Sequence, residues 1–232
     1  MENSRGKEIN GHGGKIKKAR VVFLVLTMAL APIMQAAVSS AIERGDVVFG
    51  KMYYPIPQIP EWHHACLYRG ANYIGKDIVQ SDPHFELWTL QEKLWWFTGQ
   101  YENLQQSLNN RNVGGVEYTI LSYIHQTYNK VAYGNVWTAN EYQRNNSVKF
   151  AEDRIGRHFD ILSYWKYKDK QIDGPANDRS GWYYCAELVW AGYWGYNIDL
   201  DPGDTATDRR VYPREIYHDN DVKIIYDEGI GW

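Results

Sequence analysis

The chain has 232 residues, 44% of them hydrophobic and 23% charged, with a formal net charge of −3. This balance describes a soluble globular domain with an N-terminal extra, long enough to bury a core without disulfide staples, and the 10 Trp and 19 Tyr exclude extended disorder. Residues 1–39 are net basic and residues 40–232 net acidic, with no Lys/Arg cluster in the body; a nucleic-acid partner, which needs a basic face, is therefore excluded.

In chain order, the basic stretch from Lys15 to Arg20 is followed by the uncharged residues 21–38 (VVFLVLTMALAPIMQAAV). A basic region, an apolar core and then small residues form the pattern of a secretory signal. An uncleaved anchor is the rival reading, although Pro32 weakens such a helix. Two domains are expected: 1–39, a basic region with signal peptide or anchor, and 40–232, the folded body. The expected location is exported, extracellular or envelope-associated, with membrane association only through the N-terminal segment.

Residues 46–50 (DVVFG) read as a strand, and the prolines of 55–62 make a loop. Residues 64–68 (HACLY) and 73–81 (YIGKDIVQS) read as strands of one hairpin. Residues 84–113 have mixed periodicity and carry no clear assignment. Residues 116–121 and 131–136 read as further strands. Thr138 and Glu141 form a capping box that opens a helix over 138–156, with Val148, Ala151 and Ile155 on one face and Gly156 as the stop. Residues 168–180 are a polar loop, 185–193 a second helix and 222–226 (VKIIY) a last strand. An antiparallel sheet with flanking helices is α+β. The sequon at Asn145 lies inside the expected helix and is not read as a glycosylation site.

The chain has two cysteines, Cys66 and Cys185. They are either one bridge, or a nucleophile and a bystander. Cys185 falls at the first turn of the helix in 181–194 (GWYYCAELVWAGYW), where unpaired backbone N–H groups favour thiolate and can hold an oxyanion; a buried Cys packing as a small hydrophobe is the plain alternative. A nucleophilic thiol needs an imidazole. In 62–70 (WHHACLYRG), His63 and His64 alternate faces, so only one can serve. The other histidines show no spacing that links them. No metal site is expected, because the paired Cys/His spacing of zinc is absent, and no Gly-rich phosphate loop implies a cofactor.

Five segments in order, Gly45-Asp46-Val47-Val48, His64-Ala65-Cys66-Leu67-Tyr68, 151–160 (AEDRIGRHFD), Cys185-Ala186-Glu187-Leu188 and Pro213-Arg214-Glu215-Ile216, resemble the permuted papain-like hydrolases of the NlpC superfamily, the group of the YiiX-like and YebB-like proteins. The resemblance spans roughly residues 44–226. It implies a circularly permuted papain-like fold, a small antiparallel sheet or half-barrel packed by helices. It makes Cys185 the nucleophile and His64 its base. The family often has Glu on the strand after the histidine strand; here Gln80 falls at that place, with Asp82 two residues on and on the same face as the runner-up. Glu187 is expected in a supporting role on the nucleophile helix. The family's Gly two residues after the histidine is here Cys66, which shares a strand face with His64 and so could bridge Cys185.

The expected reaction is hydrolysis of an amide bond, in an envelope or other peptide, through an acyl-enzyme on Cys185. Alternatives are a lipid acyltransferase or lipid amide hydrolase of similar fold, a non-catalytic envelope-binding module with a Cys66–Cys185 bridge, and a redox thiol pair. Tyr54, Tyr183 and Tyr184, with Trp182, Trp190 and Trp194, either line a substrate groove or pack in the core.

Overall fold

The computed structural model describes residues 42–52, 62–162, 181–201 and 210–229. Six strands, β1 (Val47–Lys51), β2 (His64–Tyr68), β3 (Ile78–Asp82), β4 (Gly115–Thr119), β5 (Lys130–Val136) and β6 (Val222–Asp227), form a single sheet. Its order is β4-β3-β2-β1-β5-β6, and every neighbouring pair is antiparallel. Six described α-helices accompany it: α1 (Leu90–Phe97), α2 (Tyr101–Arg111), α3 (Leu121–Thr127), α4 (Glu141–Glu152), α5 (Cys185–Trp194) and α6 (Pro213–His218). The class is α+β, with the helices segregated from a wholly antiparallel sheet.

The hydrophobic β1 and β2 sit at the centre of the sheet and are buried almost throughout. α5 packs across β2 and β3 with α4 alongside. Ala186, Leu188, Val189, Trp190, Ala191 and Tyr193 of α5 are all buried. A helix apolar all round belongs inside, and each large side chain so buried contributes about 1.5–3 kcal/mol. α5 is thereby locked as a rigid platform for its first residue, Cys185.

Several sequence expectations shift in register. The strand expected over 73–81 is confined to Ile78–Asp82, because residues around Gly75 turn at a φ of +75°. The strand expected over 116–121 ends at Thr119; α3 begins at Leu121, whose N–H donates to Asp77 Oδ1 at 3.0 Å. The capping box of α4 is formed by Asn140 and Gln143, not Thr138 and Glu141. Thr138 instead belongs to the turn that follows β5, so the helix cannot open there. The helix also ends at Glu152, leaving Ile155 outside it and partly exposed.

Residues 84–113, unassigned from sequence, hold a short 3-10 turn and the helices α1 and α2. Thr89 and Glu92 form the capping box of α1, and Glu92 is buried against Arg111 of α2. No described helix is long and apolar enough to cross a membrane. The N-terminal segment 1–39, Tyr54 with most of the 55–62 loop, and the 168–180 loop lie outside the described residues.

Candidate active site

His64 opens β2, and Gln80 is the middle residue of β3. The two strands pair only through Leu67–Val79 and Tyr68–Ile78. Toward His64 the ladder stops, and a side-chain bond spans the gap: His64 Nε2 lies 2.9 Å from Gln80 Oε1. Gln80 pairs directly across the next ladder with Glu117 on β4. Its Nε2 donates to Glu117 Oε1 at 3.1 Å and to Asp82 Oδ2 at 3.3 Å.

These contacts assign the protons. Ionised carboxylates only accept hydrogen bonds, so they hold the Gln80 amide nitrogen on their side and turn its oxygen toward His64. An amide oxygen also only accepts, so His64 carries its proton on Nε2. In the neutral ring Nδ1 then holds the lone pair. Among the described residues no hydrogen bond engages Nδ1.

Two further contacts stiffen this frame. Asp82 accepts the N–H of His84 through Oδ1 at 2.9 Å. His84 has a left-handed backbone (φ 51°), and its ring lies between Glu86 Oε1 at 2.8 Å and Glu117 Oε2 at 3.0 Å. With a carboxylate on each nitrogen the ring is held as imidazolium; the bond to Glu117 leads in raising its pKa to about 9. Burial opposes ionisation of Glu117, but the bonds from His84 and Gln80 prevail and lower its pKa.

On the other side of His64, Tyr128 stacks on the imidazole, with ring centres 5.2 Å apart and 12° between planes. Gly50, the register partner of His64 on β1, makes that possible. A Cβ at Gly50 would stand 2.5 Å from Tyr128 Cγ. The backbone of Gly50 is ordinary strand; glycine is required for closeness of approach, not for dihedral freedom.

Cys185 is the first residue of α5, and the carboxylate of Glu187 accepts the N–H of Tyr184 at 3.3 Å. Glu187 thus acts at the helix start and not on the imidazole. The preceding turn is tied to β3: Ser81 Oγ donates to Tyr183 O at 2.5 Å. The Cys185 sulfur lies against the β2 backbone, 3.8 Å from the carbonyl oxygen of His63. His64 and Cys185 line the same cleft. Met52, Phe85, Trp96, Tyr123, Tyr128 and Phe159 give it largely apolar walls, while His63, Asp82 and Glu86 add polar groups.

The charge state departs from the sequence expectation of a thiolate. Burial pushes the Cys185 thiol up to about 12, against the pull of the N–H groups of Ala65, Ala186 and Cys185 itself. Burial likewise lowers the pKa of His64, against Asp82, the Gln80 bond and Glu117. Both shifts favour the neutral forms, a thiol at Cys185 and an imidazole at His64.

His63 precedes β2 and also lines the cleft, so strand alternation does not keep it from the site as the sequence suggested; its Nδ1 accepts the N–H of Met52 at 3.1 Å. Cys66 and Cys185 are both free, so no bridge joins them. The buried Cys66 thiol donates to Val48 O at 3.5 Å. The groove expected from Tyr183 and Tyr184 is corrected: both are core residues outside the cleft lining. The Tyr183 hydroxyl accepts from Arg154 Nε at 2.8 Å, and that of Tyr184 from the N–H of Val211 at 3.0 Å. Trp190 is buried with its Nε1–H on Asp199 Oδ1, and Trp194 stacks on it. Tyr54 lies outside the described residues. The cleft walls that sequence reasoning missed come from 84–97 and 121–128, where short helices left no clear period.

Among the described residues no group of acidic, His or Cys side chains could hold a metal ion. Comparison with protein-family models, curated proteins and solved structures finds no match.

Proposed function

We propose that the chain is an exported cysteine-dependent hydrolase that cleaves an amide bond through an acyl-enzyme on Cys185, on a permuted papain-like fold. The observation that carries this reading is the bond from His64 Nε2–H to Gln80 Oε1. It leaves the basic Nδ1 free in the cleft that also holds Cys185. The order of elements supports the fold reading: a histidine strand, a strand with a polar partner, a long helix, then a cysteine at a helix start.

In this mechanism His64 Nδ1 takes the Sγ proton as sulfur attacks the carbonyl carbon. Proton transfer and attack go together, since neither thiolate nor imidazolium exists beforehand. The Gln80 oxygen supports the imidazolium as it forms, with the charges of Asp82 and Glu117 behind it. The N–H groups of Cys185 and Ala186 at the start of α5 take the oxyanion. Collapse expels the amine, which receives the proton from Nδ1 and leaves a thioester. Water, deprotonated by His64, releases the acid and restores the thiol.

The substrate is an envelope peptide or a lipid-linked amide. The apolar cleft walls favour an apolar acyl group on the carbonyl side, which keeps the lipid amide hydrolase reading beside the peptide one. Two matched series of amides, one of acyl chains of increasing length and one of short peptides, separate them. A rise of kcat/KM with acyl length supports the lipid reading, whereas turnover of peptides alone removes it.

A further inference from the structure

The ring of His63 meets the rest of the protein through Nδ1, which accepts the N–H of Met52 at 3.1 Å. A backbone N–H only donates, so Nδ1 bears the lone pair and the proton of the neutral ring sits on Nε2. Burial, and then the charge of Lys51, lower the pKa of His63 and favour this neutral form. A second proton would also have to displace the Met52 bond. The Nε2–H is closed to solvent and has no hydrogen-bond partner among the described residues. No other described side chain that lines the cleft has a buried nitrogen or oxygen without a partner.

The same residue stands beside the nucleophile. The N–H of His63 donates to Gly50 O at 3.0 Å, and its carbonyl oxygen lies 3.8 Å from the Cys185 sulfur. Backbone and ring are thus held from two sides, within one residue's reach of a group attached to that sulfur. A buried N–H that has lost water and gained no acceptor is destabilising, and a fold that keeps one beside a reacting atom has a use for it. The walls of the cleft are largely apolar. A carbonyl loses less than a carboxylate on leaving water, so it is the acceptor that suits a neutral donor there. Met52 lines the cleft too, and its unbranched side chain can yield to an entering group. In the reaction above, the scissile carbonyl oxygen is taken at the start of α5. A peptidyl or N-acylaminoacyl group brings a second carbonyl oxygen on its acyl side, whereas a plain fatty acyl group brings none.

We propose that the Nε2–H of His63 recognises a second carbonyl oxygen on the acyl side of the substrate, so that the cleft selects peptidyl and N-acylaminoacyl groups over plain fatty acyl groups. The proposal rests on the hydrolase reading and names the substrate class of that site.

Two p-nitrophenyl esters of equal chain length test it on the full chain: the octanoate, and the ester of N-pentanoylglycine, which adds one amide. The readout is the ratio of kcat/KM for the second over the first, so the intrinsic reactivities of the esters cancel between variants. His63→Asn keeps an oxygen where Nδ1 accepts from Met52 and removes the donor. It is expected to lower the ratio by about tenfold, through a raised KM for the acylglycine ester. His63→Gln, whose amide nitrogen reaches the place of Nε2, is expected to restore most of the ratio. An unchanged ratio in His63→Asn overturns the proposal, as does an equal fall in kcat for both esters, which is what a purely structural or oxyanion role would give. Nitrogen NMR of isotope-labelled histidine in the unsubstituted protein needs no variant to fold or turn over: a His63 proton on Nδ1 overturns the proposal by itself. An acyl group on Cys185 alongside any of these failures removes the recognition and leaves the hydrolase, whereas no acyl group from either ester removes both.

Discussion

The Gln80 side-chain oxygen accepts the Nε2–H of His64 at 2.9 Å, while the Gln80 nitrogen is held by Asp82 and Glu117. An amide has two chemically different ends, and two carboxylates leave it one orientation. That orientation fixes the His64 tautomer and hence which ring nitrogen works as the base. A carboxylate at position 80 would support imidazolium more strongly, but it would face two other carboxylates with no donor to offer them. Glutamine suits a position where the surrounding acids already supply the negative charge.

Gln80→Ala is expected to leave the fold intact and to lower kcat. Losing a hydrogen bond to a charged partner costs about 1.5–3 kcal/mol, a loss of roughly 10- to 100-fold in rate. Gln80→Glu is expected to be destabilised at neutral pH and to regain stability as pH falls. Its raised pKa lets the folded state bind a proton that the unfolded state has released. Thermal midpoints from pH 5 to 8 check this; a midpoint flat across that range contradicts it.

Gly50→Ala is expected to destabilise the protein by about 1–3 kcal/mol, because its Cβ overlaps the Tyr128 ring. The clash is specific to that ring, so Gly50→Ala/Tyr128→Ala should be less destabilised than the sum of its single changes. Denaturant unfolding of the four proteins in the cycle measures the coupling. Additive effects would show that the ring does not depend on Gly50.

Alkylation of Cys185 tests the charge state. Burial raises its pKa, so at pH 7 the group is thiol and reacts slowly. The rate of iodoacetamide labelling is expected to climb steadily above pH 8, with no plateau near pH 6. Fast labelling at pH 5–6 would reveal a preformed thiolate–imidazolium pair and remove the concerted proton transfer.

The strand and helix carrying His64 and Cys185 were legible because both are central to the core. Their apolar neighbours repeat at the period of the element, whereas Gln80 came from the family resemblance, at the place where that family often has Glu. The helices α1 to α3 were not legible. α1 turns Leu90, Leu94 and Phe97 outward while Glu92, Trp95 and Trp96 face the body, so apolar residues stand on both sides and no single stripe marks the helix. Its Thr89–Glu92 capping box was a readable signal. His84 and Glu117 could not be assigned a role because they meet across a strand end, at a left-handed residue no spacing rule anticipates. The tyrosines beside Cys185 look like groove residues in sequence. In the fold the segment bearing them is tied to β3, which turns both rings into the core.

His84 makes stability sensitive to alkali. Its folded pKa is raised to about 9 from an ordinary 6.5, with the Glu117 bond the largest cause. The stabilisation is therefore complete below pH 6.5 and is lost as pH rises toward 9. Glu92 acts at the other end: burial opposes its ionisation, but the bonds from Arg111, Thr89 and Ser107 lower its pKa to about 2 from 4.5. That stabilisation is present above pH 4.5 and fades as pH falls toward 2. Thermal melts across pH 2–10 should show His84→Ala flattening the alkaline slope and Arg111→Ala shifting acid unfolding to higher pH. Curves that superpose on the unsubstituted protein would contradict both.

The most direct test of the central claim is intact-mass detection of the acyl-enzyme after brief exposure to a p-nitrophenyl ester of a medium-chain acid. The predicted result is one acyl group on Cys185, accumulating with a burst of nitrophenol, far slower in His64→Ala and absent in Cys185→Ala. An acyl group on Cys66 or elsewhere, or acylation at an unchanged rate without His64, would contradict the assignment of nucleophile and base.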